Sequence, residues 1–307
     1  MASTPVAVQG LPFGFEKKKS SAPKALLSIA RRKPIGAIAG LMCIVLILVA
    51  VFASQIAPHA PEAAKFPRLR PPSASYPLGT DNLFRDMFSR VVIGSRVSLG
   101  IGFGSVFLGT IMGASLGLVS GYVGGWVDLV VSRLMDVVLG FPPLVLAIFF
   151  LSVFNTEQGY GPRQFFLVSL AIAVIITPTT ARIVRSSVLS VRAQQYIEAA
   201  VCVGGSSPRI MFRHVLPNVV APIIVIASVQ IGNAILAEAA LSFLGLGIAT
   251  DVHPSWGKML QDTRQWWQAA WWTAVVPGAA ISLAVLSFNL FGDALRDVLD
   301  PRLRQAS

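Results

Sequence analysis

Glu238 stands inside a long apolar run, with Asn233 before it and Ser242 after it. A carboxylate at membrane depth costs about 2.5–3.5 kcal/mol on insertion scales, so it usually faces a partner or a water-filled path. Two readings follow: Glu238 lines a translocation route or steadies its outer gate, or it lies near the outer interface and is solvated. A second group runs from Tyr196 to Pro217 and holds Glu198-Ala199-Ala200, Gly204-Gly205, Ser207-Pro208-Arg209, Arg213-His214 and Leu216-Pro217. This polar, arginine-rich stretch sits between two apolar runs and is either a plain connecting loop or a surface offered to a partner. The residues that carry bond-making elsewhere are scattered. His59, His214 and His253 stand apart, and Cys43 and Cys202 give no pairing pattern. A metal constellation, a disulfide framework and a nucleophile with its base are therefore not expected. No Gly-x-x-x-x-Gly-Lys-Ser/Thr loop occurs, so the chain is not expected to hydrolyse ATP itself, and no cofactor is implied.

The elements that position these residues are membrane helices. The 307-residue chain is 54% hydrophobic and 13% charged, with a mean hydropathy of +0.69. Its uncharged runs are long enough to span a bilayer. The expected class is an all-α membrane protein with six transmembrane helices and both termini inside. Residues 1–33 read as a basic cytoplasmic tail, residues 34–57 as the first transmembrane helix, and residues 58–96 as a proline-rich external segment. In that segment Thr80 or Asp81 can cap an amphipathic helix carrying Leu83, Phe84, Met87, Phe88 and Val91. Residues 97–303 form the core, with five more spans and an inner loop over 182–216. The second span, Val97 to Gly121, carries Gly109, Gly113, Gly117 and Gly121, a small-residue stripe suited to close helix packing in lipid. The third, Leu129 to Phe154, must kink at Phe141-Pro142-Pro143. The fourth, Gln164 to Ala181, breaks near Thr177-Pro178. The fifth runs from Pro217 to Gly245, and the sixth from Trp271 to Gly292. Arg133 and Asp136, one helical turn apart, make an ion pair at the membrane edge. Trp266, Trp267, Trp271 and Trp272 read as an interfacial anchor. The formal net charge is +11, yet the basic residues flank apolar runs and do not form one face. That distribution favours orientation by the positive-inside rule and contact with lipid, not nucleic acid.

Within the 182–216 loop, Gly204 and Gly205 suit a helix C-terminus, and Ser207-Pro208 suits an N-cap and first helical residue. Leu216-Pro217 then starts the next span. Glu198-Ala199-Ala200, then Gly204, then Leu216-Pro217, resembles the EAA loop of ABC-importer membrane subunits. Arg213-His214 before Leu-Pro is similar to the dipeptide/oligopeptide and nickel permease branch. The branch's other signatures are matched by Leu78-Gly79-Thr80-Asp81 with Arg85-Asp86 and Ser89-Arg90, by Ala234 to Gly247, by Pro254 to Leu260, and by Phe291 to Leu303. Phe84 stands where the first of these usually has glycine. The resemblance implies an ABC importer type I permease fold, multi-pass in a bacterial inner (cytoplasmic) membrane. It implies a homologous permease subunit as heterodimer partner, two cytoplasmic ABC ATPase subunits and an external solute-binding protein. The implied ATPase-coupling residues are Glu198, Ala199, Ala200, Gly204, Ser207, Arg209, Arg213, His214, Leu216 and Pro217. Asn233, Glu238 and Ser242 are candidates for the translocation path. Di- and oligopeptides are the expected substrates; nickel and glutathione members share the branch. An ion-coupled secondary transporter would rest on Glu238 alone, and a membrane anchor would not need the glycine-packed bundle.

Overall fold

The computed structural model describes residues 34–154 and 159–299, and among them the chain is helical, with one isolated bridge between Thr80 and Asp86. The basic tail, residues 155–158 of the loop after the third span, and Asp300-Pro301-Arg302-Leu303 of the last signature lie outside the described residues. The helices are α1 (Pro34–Val51), α2 (Ala53–Ile56), α3 (Met87–Val123), α4 (Gly125–Leu139), α5 (Pro143–Phe154), α6 (Pro162–Arg192), α7 (Gln195–Cys202) and α8 (Ser207–Ile210). A π-helical turn over Met211–Val215 follows, then α9 (Leu216–Phe243), α10 (Trp256–Asp262) and α11 (Trp272–Leu299). Five helical stretches are long and apolar enough to cross a membrane, and a sixth crossing is available if α4 and α5 count as one.

The centre of the bundle is the pairing of α3 with α6. The glycine stripe of α3 makes it possible: a Cβ on Gly117 would lie 2.5 Å from the Ala181 carbonyl, and one on Gly113 would lie 2.6 Å from Thr180 Cβ. Backbones this close maximise dispersion contact, the force that remains between helices when the solvent is as apolar as they are. Around this pair, α9 packs on α3, α6 and α11, and α1 packs on α11 and α3. Arg96 closes the end of α1 by donating to the carbonyls of Ala50 (2.8 Å) and Val51 (2.9 Å) and to the Ser54 hydroxyl (2.7 Å). Those carbonyls have no partner within the helix, so a guanidinium there stabilises the terminus.

Several expected boundaries shift. The surface helix capped at Thr80 or Asp81 does not form; Asp86 is the cap, accepting from Ser89 N (3.0 Å), and α3 runs unbroken into the span. Leu83 and Phe84 lie in the preceding turn. The third span bends at Phe141-Pro142-Pro143 as expected, and sharply: α4 and α5 meet at 93°, because two successive prolines remove two donors. Pro178 does not break the fourth span, since α6 continues through it to Arg192. Thr177 and Thr180 there donate to the carbonyls of Ala173 and Ile176, a local supply of bonds beside the position that lost one. The sixth span likewise extends past Gly292 to Leu299.

Candidate functional site

Between α6 and α9 the chain makes a compact elbow. α7 ends in a Schellman turn, with Gly205 N donating to Ala200 O (3.0 Å) and Gly204 N to Val201 O (2.9 Å). Gly204 supplies the left-handed residue at φ +84°, which a glycine adopts without a Cβ penalty. Gly205 is needed for a different reason: a Cβ there would meet the Ala200 carbonyl at 2.7 Å. The N-cap of α8 is Ser206, one residue before the expected Ser207, and its side chain makes no capping bond. Nor does Leu216-Pro217 begin a new helix. The π turn leads straight into α9, and the wider turn precedes the proline that has no donor to give.

The inner face of this elbow is fixed. Ile197, Ile210, Val215 and Val219 are buried against Leu118 of α3 and Val184 and Val188 of α6. The outer face is open. Tyr196, Val201 and Phe212 are exposed and Val203 is 88% exposed; Glu198, Ala199, Ser207, Arg209, Arg213 and Pro217 are exposed with them, while Ala200, His214 and Leu216 are half-buried. Among the described residues Glu198, Arg209 and Arg213 have no ion-pair partner. The elbow therefore presents apolar area and uncommitted charge on a rigid mount, a combination suited to docking.

The opposite end of the bundle is a cap made from residues 58–86 and 244–271. Arg85 and Arg90 are buried there. Arg85 donates to Asp81 (2.6 Å), Asp251 (2.5 Å) and Asp262 (3.4 Å). Arg90 reaches Asp262 (3.4 Å) and the Pro61 carbonyl (3.3 Å), and Lys258 adds a bond to Asp262 (2.5 Å). Trp272 is buried and donates Nε1–H to the Thr80 carbonyl (3.1 Å). The Leu-Gly-Thr-Asp and Arg-Asp stretch is thus the framework of the cap.

Glu238 lies just under it. The carboxyl is 1% exposed and accepts from the Ser242 hydroxyl at 2.6 Å. The Ser98 and Ser255 hydroxyls face it, although Oε2 has no hydrogen bond of ordinary geometry. The solvated reading of Glu238 is overturned by this burial: the group is enclosed within the bundle and bonded to Ser242 on its own helix. Ser242 joins it and also lines a cavity of about 400 Å³ with Thr250, Lys258 and Gln261. Asn233 is brought elsewhere, exposed on α9 and donating to Gln230 Oε1 (2.8 Å).

A further polar group joins α4 to α6. Arg133 does reach Asp136, at 3.6 Å, but Arg182 of α6 holds that carboxylate at 2.6 Å. Arg185 grips Asp128 through Nε and, at 2.6 Å, through Nη2. Both acids lie on α4 and both primary partners on α6, a long-range pairing that helical spacing does not reveal. Among the described residues no cluster of metal-ligating side chains occurs.

Residues 87–305 match the family described as binding-protein-dependent transport system inner membrane component. The chain is 45% identical over 270 residues to the dipeptide transport system permease protein DppC of Alkalihalophilus pseudofirmus, covering 87% of this chain and 86% of that protein. It is 42% identical over 276 residues to a glutathione transport system permease protein, GsiD, of Escherichia coli, covering 89% and 88%. Among solved structures it resembles inward-facing forms of the MetNI methionine ABC transporter. One matches at a TM-score of 0.56 and 19% identity over 70% of this chain and 98% of that one; another matches at 0.55 and 18% over 67% and 94%.

Proposed function

The chain belongs to the family of binding-protein-dependent transport system inner membrane components, and from that premise we propose that it carries di- or oligopeptides across a bacterial inner membrane as one permease of an ATP-driven importer. Its partners in this reading are a second, homologous permease, two cytoplasmic ATPases and an external solute-binding protein. The elbow from α7 to the π turn is the handle for the ATPase, and the cap end faces the binding protein. A shift of the elbow is carried by α9, because the π turn and α9 form one continuous rod ending at Glu238 and Ser242. Glu238 acts in this scheme as the outer gate's anchor, seated in the bundle beside Ser98 and Ser255 until the rod moves.

The observation that supports this most directly is the elbow's division into a buried and an exposed face. A mere connecting loop would not need Ile197, Ile210 and Val215 locked into the bundle while Val203 and Phe212 project from it. Relatives named for dipeptide and glutathione transport are matched about equally, which favours short peptides as the substrate class. The test is uptake. Glu198→Lys or Gly204→Asp should abolish peptide uptake while the protein remains in the membrane. Thiols introduced at Ser206 and Arg209 should cross-link to the ATPase and react only from the cytoplasmic side. Uptake unaltered by both substitutions would sink the coupling role.

A further inference from the structure

Between α4 and α6, in the elbow half of the bundle, lies a cavity of about 720 Å³ lined by Asp128, Ser132, Arg133, Asp136, Arg182 and Arg185. Its charges are not hidden: the side chains of Arg133, Asp136 and Arg182 are 75%, 45% and 57% exposed. α6 is an apolar helix of crossing length, and the 15-residue α4 reaches that length only together with α5 as a bent pair; charges in hydrocarbon are costly enough that such side chains face water or one another. The space they share is open at the surface of the bundle and walled by charged side chains from both helices. Its charge does not balance, because three guanidiniums meet two carboxylates. Asp128 is fully engaged by Arg185, and Asp136 is held by Arg182 at 2.6 Å. Arg133 touches Asp136 only loosely, at 3.6 Å. Its remaining N–H donors have no partner among the described residues and point to the fork geometry that matches a carboxylate.

Resting on the importer reading above, we propose that this cavity is a transit site for the substrate, in which Arg133, with Arg182 beside it, takes the free carboxylate of a short peptide. The cavity volume exceeds that of a dipeptide. The site sits on the handle side of the bundle, so a peptide held there has passed the Glu238 anchor and awaits release. The bond is a charge-assisted one, strong enough to matter and exposed enough to let go.

The experiment uses the assembled importer in a background free of exposed thiols, with Cys202→Ser and Ser132→Cys. A membrane-impermeant methanethiosulfonate added from the elbow side should label the introduced thiol. Alanyl-alanine should slow labelling about tenfold, its C-terminal amide should not, Arg133→Ala should remove the protection and Arg133→Lys should restore most of it. The proposal is overturned if the reagent fails to reach the thiol, if acid and amide protect equally, or if protection survives Arg133→Ala. It is also overturned if phosphatidylglycerol vesicles protect without peptide, which would make the pocket a lipid-headgroup site. Glu198→Lys in the same preparation separates the two readings. Uptake lost with that variant while protection is absent leaves the importer standing and removes only the cavity site; uptake retained removes the importer reading itself.

Discussion

Arg85 and Arg90 at the cap, and Arg209 and Arg213 at the elbow, are the same side chain set in stretches of similar polarity, yet the fold uses them oppositely. The cap arginines are buried among Asp81, Asp251 and Asp262. The elbow arginines are exposed and unpaired among the described residues. At the cap, charge is consumed inside the chain to hold two long segments together. At the elbow the apolar core alone does the holding, and charge is left over for something outside. An element's polarity therefore says little about its job until its partners are known.

Removing one arginine from each end gives the largest expected difference. Arg85→Ala leaves buried Asp81 without its closest cation, and removing one partner of a buried pair typically costs about 3–5 kcal/mol. Denaturant unfolding in mixed micelles should show a loss of that order, with poor membrane yield. Arg209→Ala or Arg213→Ala should stay within about 0.5 kcal/mol of the parent and still lower ATP-dependent uptake. Equal stability losses at both ends would end the distinction. The next largest effect concerns the rod that joins them. Glu238→Ala removes the acceptor of the buried Ser242 hydroxyl and opens a small void, at about 1–3 kcal/mol; an unchanged unfolding curve would mean that α9 is not gripped at the cap. A smaller effect separates shape from contact at the elbow. No atom lies within 4 Å of a Cβ on Gly204, so Gly204→Ala should cost about 1 kcal/mol through its φ alone. Gly204→Asn, which tolerates that region, should cost less. A larger penalty for asparagine would show that bulk, not backbone, matters there.

Much of this was legible in the sequence, for reasons that differ by residue. The apolar runs and the glycine stripe declare helices and close packing because both depend on local composition. The elbow's Gly204 is legible because one backbone conformation demands it. The limits of the helices were not, since Pro178 and Leu216-Pro217 read as breaks while the surrounding bundle carries α6 and α9 through them. The pairings of Arg85 with Asp251 and Arg182 with Asp136 were invisible, because they join residues 166 and 46 positions apart. Glu238 was conspicuous by type, but its burial depends on Ser98 and Ser255 arriving from other elements. Asn233 sits near it in sequence and turns away on the helix.

The smallest effect tests whether the cap is over-determined enough to carry strain. Phe84 has φ +60° and is half exposed, at the position where the Leu-Gly-Thr-Asp signature usually has glycine. A side chain held in that region costs about 1–2 kcal/mol, whereas glycine's extra freedom in the unfolded chain costs about 0.5–1 kcal/mol. Phe84→Gly should therefore gain about 0.5–1 kcal/mol, less whatever contact the ring makes, and Phe84→Val should lose stability because a β-branched residue fits the region worst. The bond from Phe66 N to Phe84 O (3.1 Å) is backbone to backbone, so it survives either change. Unfolding midpoints that order glycine above phenylalanine above valine would show that the ionic cap, not Phe84 itself, keeps this turn closed. The reverse order would mean that the ring's packing outweighs its strain, and that the cap depends on apolar contact as the elbow does.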